Sequence, residues 1–119
     1  MKSSFAFYCD LLGFKYVHGY EREGKPWIEY VKVAKNQFIE LFYPGENMDF
    51  YADLSSFNHL CLQMRDICQR EKVLNEAGWP IDVPPKQGKD LNRQMWSHDP
   101  DGNKIEFMQI NPESLQAKS

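Results

Sequence analysis

The sequence predicts an α+β domain built from a duplicated unit, in which one helix is followed by three strands. Two matches support the duplication: residues 12–14 (Leu-Gly-Phe) match residues 77–79 (Ala-Gly-Trp), and residues 37–42 match residues 103–108. The two offsets, 65 and 66 residues, differ by one, and such agreement indicates an internal repeat. The second copy opens with a further strand that carries His59. Its counterpart would precede Met1, so the first copy lacks an opening strand.

The elements of the first copy follow from periodicity and turn residues. Apolar residues recur at helical spacing from Phe5 to Leu12, and Gly13 is placed to end that helix. Alternating segments then predict strands over residues 14–20, 27–33 and 38–43. We expect an N-terminal module over residues 1–45, a linker over 46–57, a C-terminal module over 58–111 and a frayed tail over 112–119, together forming one domain.

The second copy begins with a strand over residues 58–64. Asp66 and Gln69 resemble a capping box that opens a helix, and Gly78 ends it. A short strand over 79–83 and a loop over 84–92 precede a hairpin whose turn is Asp-Pro-Asp-Gly at residues 99–102. On the strand after this turn, Glu106 shares a face with apolar neighbours. A carboxylate there lies either in water at a sheet edge or in a pocket with a partner.

Composition limits the functional classes. A chain of 119 residues, 42% hydrophobic and 26% charged, has the size and balance of one globular domain. Its net charge of −3 gives no electrostatic reason to expect nucleic acid or an anionic membrane as partner. The sequence contains no membrane-spanning apolar run and no signal peptide, so we expect a cytoplasmic protein. The three cysteines lack metal-site spacing and are expected to be buried thiols in a reducing compartment.

Three residues are candidates for a metal site: Glu40, His59 and Glu106. Each alone has an ordinary explanation, since a strand glutamate usually faces solvent and a strand histidine usually has a structural partner. However, Glu40 and Glu106 occupy equivalent positions in the repeat. If the two copies are related by a pseudo-twofold axis, the three side chains converge. Such oxygen and imidazole donors suit Fe²⁺, Mn²⁺, Co²⁺, Ni²⁺ or Zn²⁺ without choosing among them.

Substrate-binding candidates are weaker. Trp96 and Phe38 could line an apolar pocket, although core packing explains large aromatic residues equally well. Arg93 precedes the hairpin and could contact an anionic substrate, although cations in such segments are usually solvated.

Three motifs give the chain a family resemblance: Ser-Phe-Ala-Phe-Tyr-Cys-Asp-Leu-Leu-Gly-Phe (4–14), Asn-His-Leu-Cys-Leu-Gln-Met (58–64) and Asp-Pro-Asp-Gly-Asn-Lys-Ile-Glu (99–106). The chain resembles the vicinal oxygen chelate superfamily, which includes glyoxalase I, extradiol dioxygenases, fosfomycin resistance enzymes and bleomycin-binding proteins. The resemblance implies two βαβββ modules that form a cupped, barrel-like mixed sheet with helices outside. It also implies a divalent metal held by Glu40, His59 and Glu106. The family's fourth ligand, usually a histidine on the first strand, has no equivalent here, and His18 is a weak substitute.

The activity implied by the resemblance is that of a metal-dependent glyoxalase-like lyase or isomerase. The metal would hold the vicinal oxygens of a small substrate and stabilise an enediolate, and Glu106 would act as general base. A homodimer is expected on the same ground. The alternatives are a metal-free binding protein of the bleomycin-resistance type, a dioxygenase or epoxide-opening resistance enzyme, or a structural role. Because the first strand is missing, we expect the natural chain to begin upstream of Met1, with a strand that carries a histidine.

Overall fold

The structure, a computed structural model, describes residues 1–44 and 57–119. The predicted linker lies almost wholly outside these residues. The chain divides into two units, Met1–Leu54 and Ser55–Ser119. Each contains one β-sheet and helical segments, so the predicted mixed α+β class is confirmed. In the described residues no helix is long and apolar enough to cross a membrane.

The first unit opens with helix α1 (Lys2–Phe5), which continues directly as a π-helix over Ala6–Leu11. The wider turn is visible in the hydrogen bond from Leu12 N–H to the carbonyl oxygen of Phe7, at 3.0 Å. It was not predicted, and it accompanies the burial of two adjacent residues, Phe7 and Tyr8. Gly13 has a φ of 77° and ends the helix, as its position in the sequence predicts.

Three antiparallel strands complete the first unit in the order β1-β2-β3: β1 is Lys15–Arg22, β2 is Lys25–Ala34 and β3 is Gln37–Phe42. The register opposes Tyr30 to Glu40 and Val31 to Ile39. Because side chains alternate along a strand, Glu40 and Val31 belong to opposite faces of this sheet. Val31 is fully buried, whereas Glu40 is exposed.

The second unit consists of β4 (Leu60–Gln63), helix α2 (Ile67–Glu76), β5 (Val83–Gln87), β6 (Arg93–His98), β7 (Lys104–Gln109) and a short helix α3 (Leu115–Lys118). Its sheet has the order β4-β7-β6-β5, with β4 parallel to β7 and the other pairs antiparallel. The α2 helix packs against β5, β6 and β7. As predicted, Asp66 caps α2, because its carboxylate accepts the Gln69 N–H at 3.1 Å.

The core of the second unit lies between α2 and one face of the sheet. It contains Ile67 and Leu74 from the helix, and Met95, Ile105 and Phe107 from the two central strands, all fully buried. The turn between β6 and β7 forms as predicted. Gly102 has a φ of 86°, and the Asp99 carboxylate accepts the backbone N–H groups of residues 101 and 103 at 3.0 and 2.9 Å.

Several sequence-based expectations were wrong. The strand expected at 79–83 lies instead at Val83–Gln87 and includes Pro84 and Pro85. It is an edge strand, where residues that lack an N–H donor are tolerated. The segment expected to be a frayed tail contains α3, whose N-cap hydroxyl on Ser114 accepts an N–H at 3.2 Å, and its fraying stays a prediction. Two of the three cysteines are exposed, so the expectation of buried thiols is also wrong.

Candidate functional site

Glu106 lies on β7, one of the two central strands of the second sheet, and only 8% of its surface is exposed. In the register it stands opposite Cys61 on β4 and Trp96 on β6. The neighbouring Ile105 and Phe107 point the other way, into the core beneath α2. Glu106 therefore lies in a pocket with a partner, the second of the two environments that its position in the sequence allowed.

The partner of Glu106 is His59, directly before β4. The Nε2 atom of His59 lies 2.9 Å from Glu106 Oε2, and its Nδ1 atom lies 2.7 Å from Asn58 Oδ1. Because an amide oxygen can only accept, Nδ1 carries the proton that it donates to Asn58. A carboxylate oxygen also only accepts, so a proton or a cation must lie between Nε2 and Oε2 for the two atoms to approach this closely. The His59 nitrogen and the Glu106 oxygen therefore converge on one point, where both could act as ligand atoms for a cation.

Trp96 packs against His59, with ring centroids 4.6 Å apart at an angle of 64°. Its indole N–H donates to Gln94 Oε1 at 2.9 Å, which holds the ring over the sheet. Trp96 and Asn58 line a cavity of about 400 Å³, together with Val83, Ser97, Asp82 and Lys104. The second unit thus places an aromatic side chain against His59, and this side chain and Asn58, the hydrogen-bond partner of His59, both line a cavity.

Cys61 is a further neighbour of Glu106 on the same face of the sheet. Although Cys61 is exposed as a residue, its thiol is partly shielded beside the Glu106 carboxylate, and this burial together with the charge of the carboxylate raises the pKa of Cys61 to about 11. The thiol therefore stays protonated at neutral pH.

Glu40 lies in the other unit, on β3. It stands opposite Tyr30 in the register, and burial together with the nearby Glu40 carboxylate raises the pKa of Tyr30. Phe38 lies on the same face as Glu40, and its ring packs edge-on against Tyr30 with centroids 6.4 Å apart. His18, the weak substitute ligand, stacks on the same tyrosine at 4.8 Å. Glu40 and Phe38 thus share an exposed, mainly aromatic sheet face.

Arg93 lies on the face of the second sheet that is opposite to Glu106. The register pairs Trp96 with Glu106 and Arg93 with Gln109, so Arg93 and Trp96 point to opposite sides. The Arg93 guanidinium contacts Cys68 Sγ on α2 at 3.3 Å. The structure therefore brings together His59, Glu106 and Trp96, and it separates Arg93 from them.

A model of the Glyoxalase/Bleomycin resistance protein/Dioxygenase superfamily matches residues 1–107. The chain belongs to this superfamily. Its membership confirms the resemblance that the three sequence motifs indicate. No curated protein matches the chain significantly.

Solved structures of the superfamily share the fold. The chain superposes on lactoylglutathione lyase from Agrobacterium tumefaciens with a TM-score of 0.67 at 19% identity, covering 91% of this chain and 84% of that one. The antibiotic binding protein TnmS3 from Streptomyces sp. CB03234 gives 0.68 at 23% identity, covering 92% and 86%. A superfamily domain from Frankia sp. EAN1pec gives 0.75 at 15% identity, covering 100% and 90%. At these identities the similarity shows the fold alone.

Superfamily members typically use a divalent metal. Whether this chain could hold one depends on the metal-ligating side chains that its structure brings together. His59 and Glu106 offer an imidazole nitrogen and a carboxylate oxygen to one point, and the other imidazole nitrogen donates to an oxygen, as it does in most metal-binding histidines. These two residues fit a divalent metal. Over residues 1–44 and 57–119, no group of three or more His, Cys, Asp or Glu side chains is arranged to hold an ion. Glu40 as a further ligand therefore stays a prediction.

The sequence-based reasoning did not single out Asn58, although this residue orients the imidazole. Asn58 and His59 precede the first residue of β4, Leu60, so the strict alternation of a strand does not separate their side chains. The sequence did contain a signal for this role of Asn58, because its side-chain amide comes directly before the candidate histidine at the start of a strand.

Proposed function

We propose that this protein is a metal-dependent enzyme of the glyoxalase type, a lyase or isomerase acting on a small substrate with adjacent oxygen atoms. The observation that carries the proposal is the approach of His59 Nε2 to Glu106 Oε2 at 2.9 Å, with the imidazole proton held on the other nitrogen by Asn58. A divalent cation would satisfy this contact with two favourable ligands.

His59 and Glu106 would hold the metal, with Glu40 proposed as a third ligand. The identity of the metal is open among Ni²⁺, Co²⁺, Zn²⁺, Fe²⁺ and Mn²⁺, because this donor set suits all five. Once bound, the metal supplies a Lewis acid that polarises oxygen atoms of the substrate. The remaining chemistry belongs to side chains of this chain.

Glu106 is proposed as the general base that moves a proton between substrate carbons. Its carboxylate is largely shielded from water, and such shielding strengthens its interaction with a nearby proton donor. Cys61 lies next to Glu106 in the register, and the charge of the same carboxylate helps to keep the Cys61 thiol protonated by raising its pKa. Trp96 is proposed to cover the substrate on one side, since its ring lies against His59 and lines the cavity of about 400 Å³. Phe38 stays a candidate for substrate contact.

A second candidate function is metal-free binding of a small molecule. The apolar side chains of Trp96 and Val83 in the cavity favour it, because ligand sites of this size are mostly apolar with a few polar groups. TnmS3, one of the proteins with this fold, is an antibiotic binding protein. A dioxygenase or an epoxide-opening enzyme would share the metal requirement and differ in its substrate. In every case we expect a cytoplasmic protein that acts as a homodimer.

The test is metal content and metal affinity of the purified protein, measured by mass spectrometry and by calorimetric titration with Ni²⁺ and Zn²⁺. We expect near-stoichiometric metal that is lost in His59→Gln and in Glu106→Gln. The matched control is His98→Gln, because His98 forms a similar 2.9 Å contact with a carboxylate, that of Asp82, at a more exposed position. Metal binding that survives both site variants, or that is lost equally in the control, would contradict the proposed site.

The same preparations distinguish the alternatives. A protein that binds no metal but takes up a hydrophobic dye or drug in a Trp96-dependent manner would support the binding protein. Metal-loaded protein that consumes dioxygen with a catechol substrate would support the dioxygenase. Isomerisation of a 2-oxoaldehyde–thiol adduct, abolished in Glu106→Gln, would support the glyoxalase-type enzyme.

A further inference from the structure

The second unit contains another cavity, of about 330 Å³, lined by residues of β5, β6, β7 and the segments that follow β5 and β7. Among the described residues, the one charged side chain that lines it is Arg93, which points to the side of the sheet opposite Glu106. The remaining lining residues are three amides and three apolar side chains: Gln87, Gln109 and Asn111, and Leu91, Ile110 and Pro112. None of these lining residues is acidic.

Within the described residues, the Arg93 guanidinium has no anionic partner. Its hydrogen-bond partner there is the neutral thiol of Cys68, at 3.3 Å, and none of the ion pairs in this part of the chain includes it. The carboxylates nearest in sequence to the cavity are engaged elsewhere. Asp90 accepts the backbone and side-chain N–H groups of Asn92, each at 3.2 Å, and Glu113 pairs with Lys118 at 3.2 Å.

Two of the three amides that line the cavity, Gln109 and Asn111, have their oxygens occupied, whereas the NH₂ group of the third, Gln87, donates to the Leu91 carbonyl oxygen at 3.1 Å. The side-chain oxygen of Gln109 accepts the Ile67 N–H at 2.9 Å, and that of Asn111 accepts the Glu113 N–H at 2.9 Å. Because backbone N–H groups occupy the oxygens, each side chain has its NH₂ group left to offer. A guanidinium and two oriented amide NH₂ groups are all donors, so the cavity is complementary to a group that only accepts hydrogen bonds.

The apolar part of the lining limits the ligand further. Leu91, which lines the cavity, is held with a φ of 71°, an unfavourable backbone conformation for leucine, and 44% of its surface is exposed. Ile110 and Pro112 extend this apolar surface. A fully hydrated inorganic ion would gain nothing from these side chains, whereas an aliphatic chain would be partly removed from water.

We propose that this cavity is a binding site for a small organic carboxylate with a short aliphatic chain, with Arg93 as the residue that recognises the carboxylate. The site is separate from the His59–Glu106 pair, because the sheet lies between them. The inference does not depend on the proposed function, and the two can fail independently.

The test is titration of the ¹⁵N-labelled full chain with hexanoate, followed by NMR. We expect saturable shifts of the backbone amide signals of Arg93 and Asn111. Hexanamide, which has the same size and no charge, should bind at least tenfold more weakly, and so should inorganic phosphate, which has no aliphatic chain. Equal affinity for hexanamide or for phosphate would overturn the proposal, as would the absence of saturable shifts.

The variants separate recognition from folding. Arg93→Gln should weaken hexanoate binding at least tenfold, and Arg93→Lys should weaken it less, because lysine keeps the charge without the planar pair of donors. Arg65→Gln removes the same charge from an exposed position elsewhere in this unit and should leave the affinity unchanged. Glu106→Gln should also leave it unchanged. Unaltered binding in Arg93→Gln, or equal losses in Arg93→Gln and Arg65→Gln, would refute the assignment.

Discussion

The contact between His59 and Glu106 should be measurable as a coupling energy in the protein without metal. The perturbation is a double-mutant cycle with His59→Phe, which keeps an aromatic ring against Trp96, and Glu106→Met, which keeps an unbranched chain of similar length. Each single change leaves the other polar group largely buried without its partner. The coupling energy isolates that interaction from the separate effects of the two substitutions.

The magnitude follows from the burial of the two side chains. A hydrogen bond to a charged group contributes about 1.5–3 kcal/mol to stability when it is shielded from water. Glu106 has 10% of its side chain exposed, but His59 has 30%, so solvent weakens the interaction. We therefore expect a coupling of about 1–2 kcal/mol. The pair His98–Asp82 has the same 2.9 Å separation with 36% and 47% exposed, and it should couple by less than about 1 kcal/mol.

The assay is urea unfolding of the four proteins of each cycle in EDTA, with free energies from linear extrapolation. Addition of Ni²⁺ or Zn²⁺ should then stabilise the wild type, by about 2.7 kcal/mol at one hundred times the dissociation constant, and should not stabilise the two single variants. A coupling in the His59–Glu106 cycle no larger than that of the His98–Asp82 cycle would refute the reasoning from burial. Stabilisation by metal that persists in both single variants would refute the assignment of the ligands.

Three further predictions concern the second unit, and one of them has its control variant, Phe42→Ala, in the first unit. Alkylation of Cys61 by iodoacetamide, followed by peptide mass spectrometry against pH, should give an apparent pKa near 11, and Glu106→Gln should lower this pKa and speed the reaction at pH 8. A value near that of a free thiol would contradict the placement of the Cys61 thiol in a partly buried position beside the Glu106 carboxylate. Because this folded-state pKa is raised, the stabilising effect of the protonated thiol is complete below the pKa of the unfolded chain and is lost as pH rises towards 11. Phe107→Ala should lower the free energy of unfolding by about 3–5 kcal/mol in urea, whereas Phe42→Ala, at a position 48% exposed, should cost under about 1 kcal/mol. Leu91→Gly should leave stability unchanged or raise it by about 1 kcal/mol, because glycine relieves the positive φ; a clear loss would mean that the leucine side chain stabilises the turn.

The sequence predicted those parts of the fold that local chemistry determines. The turn at residues 99–102, the cap at Asp66 and the end of the first helix at Gly13 each depend on one or two residues with a specific backbone or hydrogen-bonding role. The strand at Val83–Gln87 was missed because Pro84 and Pro85 normally argue against a strand, and only tertiary structure makes this strand an edge.

The candidate site was predicted less completely than the fold. Alternation along β7 correctly put Glu106 on the face opposite Ile105 and Phe107, but nothing in the sequence paired it with His59 at hydrogen-bonding distance. That pairing depends on the parallel contact of β4 with β7, which joins residues 47 positions apart. The orientation of Arg93 was missed for a related reason, since it is set by the register of β6 against β7.

The register of β7 explains how this one strand contributes to two chemically different sites, with Glu106 on one face of the sheet and Gln109 on the other. A slip of one residue between β6 and β7 would turn Glu106 into the core and expose Phe107, so burial of the apolar face fixes the position of the carboxylate. The same constraint directs Arg93 and Gln109 to the side of α2, where a donor-rich cavity forms. Substitutions in the core beneath α2 should therefore alter both sites together, whereas substitutions on either face should alter one. Independent loss of metal binding in Glu106→Gln and of carboxylate binding in Arg93→Gln is the behaviour expected of two sites separated by a rigid sheet.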